Sequence, residues 1–98
     1  MARRLIVQPQ ADLDITAAAV WYEDQRSGLG VRFLDELSLV FQRIQKNPLE
    51  FPLLEGNVHR ALLHRFPFGV YFLANPREVQ VLAVLHLHRH PEMWKSRL

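Results

Sequence analysis

The sequence contains no cysteine, which excludes a disulfide framework and any thiolate-ligated metal and makes a reducing cytoplasm the expected compartment. No apolar run approaches the roughly 20 residues that a membrane-spanning helix requires. The apolar stretch within MARRLIVQPQ is also too short for a secretory signal. Serine is confined to Ser27, Ser38 and Ser96, with no glycine elbow around any of them, so nucleophilic catalysis by serine or cysteine is excluded. The close glycine pair in GLG, residues 28 to 30, lies between two helical stretches and not between a strand and a helix, so it is no phosphate-cradling loop. Lysine is scarce as well: ten of the twelve cationic side chains are arginine, whose flat donor fork suits phosphates and carboxylates.

What is present is a chain of 98 residues, 49% of them hydrophobic and 22% charged, the proportions of one globular domain with a single core. Charge is divided unevenly. Residues 1–56 carry six Lys or Arg against eight Asp or Glu, whereas residues 57–98 carry six against two and hold all five histidines. A cationic second half invites an anionic partner, nucleic acid or an acidic protein.

The pattern of apolar residues predicts a first strand over residues 3–7 and a helix from Ala11 to near Arg26. A second helix follows, carried by Phe33, Leu34, Leu37, Val40, Phe41 and Ile44 and ended by Asn47 and Pro48. The linker SGLG is short enough to make these two helices an antiparallel hairpin. PLEFPLLEGN reads as a loop. Three strands are then predicted, Val58 to His64, Phe68 to Ala74 and Val79 to His88, close enough together to form an antiparallel meander. The expected class is α+β: a strand, a two-helix hairpin and a three-stranded meander, with the helices on one face of the sheet.

Val81 to Leu85 are apolar at every position, which predicts an interior strand covered on both faces. Alternation along that strand places His86 and His88 on the face of Leu82 and Val84. His-x-His with Glu92 is a conceivable metal set, but no metal is expected, because a fourth ligand would have to come from the last six residues. Acid–base cleavage of RNA by His86, His88 or His90, assisted by Arg60, Arg65 or Arg89, has the right residue types. It requires these side chains to converge. Asp35 and Glu36 are read as a solvated helix face, the aromatics from Trp21 to Phe72 as packing, and Trp94 as either a pin for the tail or a stacking platform for a partner.

ADLDITAAAVWYEDQRSGLGVRFLDEL, HRALLHRFPFGVYF and VLAVLHLHRHPEMWKSR resemble the RelE/ParE superfamily of bacterial toxins, in its ParE-like plasmid-stabilisation branch. The resemblance runs from about Ala11 to Arg97. It implies the toxin of a type II toxin–antitoxin system, neutralised by a cognate antitoxin in a hetero-oligomer, cytoplasmic, with no cofactor and no membrane association. ParE-like members are associated with inhibition of DNA gyrase, and RelE-like members with cleavage of messenger RNA on the ribosome. The loop before the second strand, EFPLLEGNVHR, has no lysine where RNA-cutting members are rich in it. Trp94 stands near the place of their functional tyrosine, and an indole cannot exchange the proton a phenol can. Arg60 and Arg89 match basic positions of the superfamily. The resemblance therefore implies a non-enzymatic, gyrase-directed toxin. The alternatives are a metal-independent ribosome-dependent endoribonuclease and a non-toxic relic that retains only antitoxin binding. The residues expected to bind target or antitoxin are Arg60, Arg65, His86, His88, Arg89 and Trp94, and Arg60 of the second strand is expected to join His86, His88 and Arg89 at the end of the last strand in one basic rim.

Overall fold

The computed structural model describes residues 3–90 and 92–98. Pro91 in the tail motif lies outside them. Strand β1 (Arg4–Val7) leads into helix α1 (Pro9–Gln25) and then α2 (Leu29–Lys46), followed by β2 (Leu53–Glu55), β3 (Val58–Leu62), β4 (Phe68–Ala74) and β5 (Glu78–His86). A 3-10 turn at Met93–Arg97 ends the chain. The single sheet has the order β1-β5-β4-β3-β2, with β1 parallel to β5 and every other pair antiparallel. The α+β class and the hairpin-plus-meander order expected from the sequence are those observed.

The helices differ from the expectation at their ends. Helix α1 begins at Pro9, two residues before the expected Ala11, because at the first helical position the missing N–H of proline costs nothing and its φ is already helical. The turn between the helices is set by Gly28, Glu23 and Gly30 acting together. Gly28 adopts φ 88°, and Glu23 reaches forward from α1 to accept the N–H groups of Gly28 at 2.9 Å and Gly30 at 3.0 Å. That carboxylate fills the positive N-terminus of α2, which a phosphate loop would have left open. Gly30 also lets the helices close together, because a Cβ there would stand 2.5 Å from the carbonyl oxygen of Ala19. Gly30→Ala must push α2 off α1 and is expected to cost about 1–3 kcal/mol, seen as a lower urea midpoint with an unchanged slope. An unchanged midpoint would show that the hairpin has slack.

Between the helices and the sheet, Phe33, Leu37, Val40 and Ile44 of α2 meet Val70, Phe72, Val79, Val81 and Val84. Phe33 centres an aromatic group, 5.5 Å from Tyr22, 5.3 Å from Phe66 and 5.1 Å from Phe68 between ring centroids. Such offset and edge-on contacts add to area burial. Buried His59 is satisfied, with Nδ1 2.8 Å from the Phe51 carbonyl and its ring stacked on Phe72. Glu36 is not a free solvated face. Its carboxylate accepts the backbone N–H groups of His64 and Arg65, tying α2 to the loop between β3 and β4.

The sequence pattern missed β2, whose residues are all exposed and therefore show no buried alternation. It also ran β5 two residues too far, since the ladder with β4 closes at His86 opposite Phe68. β5 is interior, between β1 and β4, as its continuous apolar run predicts. Within it lies a β-bulge: Tyr71 faces Ala83 and its neighbour Phe72 faces Val81, leaving Leu82 as an extra residue. A bulge advances the alternation by one position. Val79, Val81 and Val84 thus face the helices, whereas Leu82, Ala83 and Leu85 pack with Val58, Tyr71 and Trp94 on the other face.

Candidate functional site

The bulge decides where the basic residues go. His86 shares the helix-facing side with Val84, as the alternation predicts, but Leu82 does not, because the extra residue lies between them. Beyond the end of β1, where α1 runs beside the last part of β5, the helix-facing side of β5 opens into a groove of about 500 Å³. Its floor is Phe68 and Val84, its wall is Ala17, Ala18 and Trp21 of α1, and its mouth carries His86, Arg89 and His90. The His86 ring stands edge-on to Phe68 at 5.4 Å between centroids. Arg89 lies over the Trp21 ring, its guanidinium carbon 5.1 Å from the centroid, a cation–π contact that holds the charge above the groove.

The N–H of His88 donates to Nδ1 of His86 at 3.1 Å, so His86 carries its proton on Nε2 when neutral. Burial first, then Arg89, His88 and His90, hold the His86 pKa below its ordinary 6.5. Burial pushes the Tyr22 phenol up, with Arg89 pulling the other way. The unfolded chain takes up a proton at residue 86 before the folded chain does. The stability His86 contributes is therefore complete above its ordinary pKa and is lost as pH falls through the lowered value. His86→Phe is expected to flatten the fall in thermal midpoint between about pH 7 and 5. Identical profiles for the two proteins would refute that assignment.

One acid lines the groove, Asp14, and it is fully engaged. It accepts two bonds from Arg97, one to Nη1 at 2.5 Å and one to Nη2 at 3.1 Å, and a third from the Val84 N–H at 3.0 Å. Arg97 Nη1 also donates to the Leu82 carbonyl at 3.1 Å. β1 makes its last bond to β5 through Gln8 N–H and the Val81 carbonyl. Past that point Asp14 and Arg97 take over the β5 edge, satisfying backbone groups that a buried strand end cannot leave unpaired.

The expected basic rim does not form as one surface. Arg60 pairs with Tyr71 across β3 and β4, and Tyr71 packs on the helix-free side with Trp94. Arg60 therefore points away from the helices, on the opposite side of the sheet from His86 and Arg89. The reason is alternation on both strands, fixed by registers that the sequence does not show. Its stem lies across Gly69, where a Cβ would come within 3.2 Å of Cδ and 3.3 Å of Cγ. Arg65 stands in the loop held by Glu36 and does not line the groove.

Trp94 is 3% exposed and stacks on Tyr71 with centroids 5.7 Å apart and planes 12° apart. It pins the tail, and Lys95 strengthens the closure by bonding Glu92 at 2.6 Å and Glu55 at 3.1 Å. That face is thus partly covered by the protein's own C-terminal turn. Trp21, read as packing, is 44% exposed and forms part of the groove. Asp14 and Arg97 carried no recognisable motif, since their pairing spans almost the whole chain. Among the described residues no group of three His, Asp or Glu is placed to hold a metal ion, and no helix is long and apolar enough to cross a membrane.

No protein-family model and no curated protein matches the sequence. Among solved structures, a chain of the chromosomal ParDE TA system from P. aeruginosa superposes with a TM-score of 0.76 at 18% identity, covering 87% of this chain and 96% of that one. The protein thus shares its overall fold with a chain of a ParDE toxin–antitoxin system, the ParE/RelE-like fold that its sequence motifs implied.

Proposed function

We propose that the protein is the toxin of a type II toxin–antitoxin pair, active in the cytoplasm, and that it works by binding its target, DNA gyrase, and not by cutting RNA. The observation that carries the choice between binding and cutting is the division of the basic residues by the sheet. Metal-free cleavage of RNA needs a proton acceptor, a proton donor and a cation within reach of one phosphate. Arg60 is on the other side of β3–β4–β5 from His86, and Arg65 is held in the β3–β4 loop, so of the three expected cations only Arg89 stands beside the histidines, and its guanidinium rests on the Trp21 ring. His86 is also held below its ordinary pKa, which disfavours the charged form that a general acid would need.

The fold shared with a ParDE component supports the toxin role, and the surface supports an antitoxin partner. Leu13, Val20 and Trp21 of α1 are 70%, 55% and 44% exposed, an apolar stripe beside the mouth at His86 and Arg89. An acidic, partly disordered chain that orders on contact would cover the stripe and neutralise the mouth together.

Induced expression of the chain alone is expected to arrest growth. Co-expression of the small protein encoded next to it should relieve the arrest and yield a stable complex. Val20→Glu with Trp21→Glu should keep the fold and lose the complex. Normal growth on expression, or a complex unaffected by that pair of substitutions, would overturn the reading.

A further inference from the structure

We infer that the groove between α1 and the end of β5 is a binding site for a small amphipathic anion, a flat apolar body carrying one carboxylate, phosphate or sulfonate group. The inference stands on the groove's own geometry and does not require the protein to be a toxin.

The space is the size of a small-molecule site, about 500 Å³, within the range of known ligand pockets. Its depth is apolar, formed by Ala18, Phe68 and Val84 with Tyr22 beside them. Charge is confined to one end. Arg89 has no carboxylate partner among the described residues; it rests on Trp21, which orients the guanidinium over the opening. His86 has Nδ1 engaged by the His88 N–H, so the nitrogen left for a ligand is Nε2, a donor in both protonation states. His90 lies at the same end.

The only acid in the lining would repel an anion if it were unpaired. Asp14 is bonded to Arg97 and to the Val84 N–H, so its charge is neutralised where it stands. An apolar body therefore finds a desolvated slot, and its anionic group finds donors with no competing acceptor. A cation finds the reverse. A bare phosphate would gain only the mouth and leave the apolar depth empty. The preferred ligand has both parts.

The test uses three probes with one body: 2-naphthoate, 2-naphthalenemethanol and 2-naphthylmethylammonium, each titrated calorimetrically into the full chain. The expected result is saturable 1:1 binding of naphthoate with a Kd on the order of tens of micromolar, given typical affinity per ligand atom. The alcohol should bind about tenfold more weakly and the ammonium not measurably. Arg89→Ala should weaken naphthoate about tenfold and bring it level with the alcohol. Ala17→Trp, placed at an exposed position on the groove wall, should abolish binding of all three while leaving the circular dichroism and thermal midpoint unchanged. Arg60→Ala, on the other side of the sheet, should change nothing. Equal binding of the three probes, no saturable binding of naphthoate, or loss of binding on Arg60→Ala and not on Arg89→Ala would each overturn the inference. Growth arrest by the expressed chain is read separately, so failure here leaves the toxin reading intact, and the converse holds.

Discussion

Asp14→Ala should be among the most destabilising single substitutions in the molecule, lowering stability by about 3–5 kcal/mol. The change leaves Arg97 buried without its counter-charge and the Val84 N–H without an acceptor, on side chains only 14% and 11% exposed in the native state. In a domain of this size 1 kcal/mol moves the thermal midpoint by roughly 4–8 °C, so even the lower figure predicts a fall of about 12 °C or more. Asp14→Asn keeps an oxygen for the Val84 N–H and should lose less. Differential scanning calorimetry of the two variants decides the point. If they lose equally, the ion pair and not the strand-edge hydrogen bond carries the stabilisation. If neither loses more than about 1 kcal/mol, the pair behaves as an ordinary surface bridge.

Trp94→Ala should have an effect of similar size for a different reason. The indole is 3% exposed and stacked on Tyr71, closing the cluster of Val58, Leu82, Ala83 and Leu85. Its removal opens a large cavity on the helix-free face and should cost about 3–5 kcal/mol, measured by urea unfolding. Trp94 and Arg97 belong to the same 3-10 turn, so Asp14→Ala and Trp94→Ala release the same tail. Their combined loss should fall well short of the sum, since residues in one coupled unit are not additive. A partner-stacking role for Trp94 predicts the opposite pattern: near-native stability with weakened antitoxin binding.

The two outcomes show which parts of the molecule were legible in its sequence. The helical hairpin was, because the spacing of Phe33, Leu37, Val40 and Ile44 repeats on one helix face and all four are buried. So was the interior position of β5, whose unbroken run from Val81 to Leu85 needs cover on both sides. The location of Arg60 was not. A strand's alternation says which residues share a face, but the choice of face depends on register with a neighbour, and the bulge at Leu82 resets it midway along β5. β2 was invisible because an edge strand of three exposed residues has no buried side to mark it. Asp14 and Arg97 were invisible for a similar reason. A lone acid on a helix and a lone arginine near the end of the chain acquire meaning only when folding brings them to the same stretch of strand edge. Of the histidines and Arg89, the fold brings His86, His90 and Arg89 to one groove beside Trp21 of α1, and Arg60 is not among them.

The most direct test of the binding mechanism sets two assays side by side with the purified chain: supercoiling by DNA gyrase, and cleavage of messenger RNA on ribosomes. Both are repeated with His86→Ala and Arg60→Ala. The divided arrangement of the basic residues predicts that supercoiling is inhibited and that the RNA remains whole with all three proteins. RNA cut at defined positions by the native chain and spared by His86→Ala would contradict the account, whether or not Arg60→Ala also spares it.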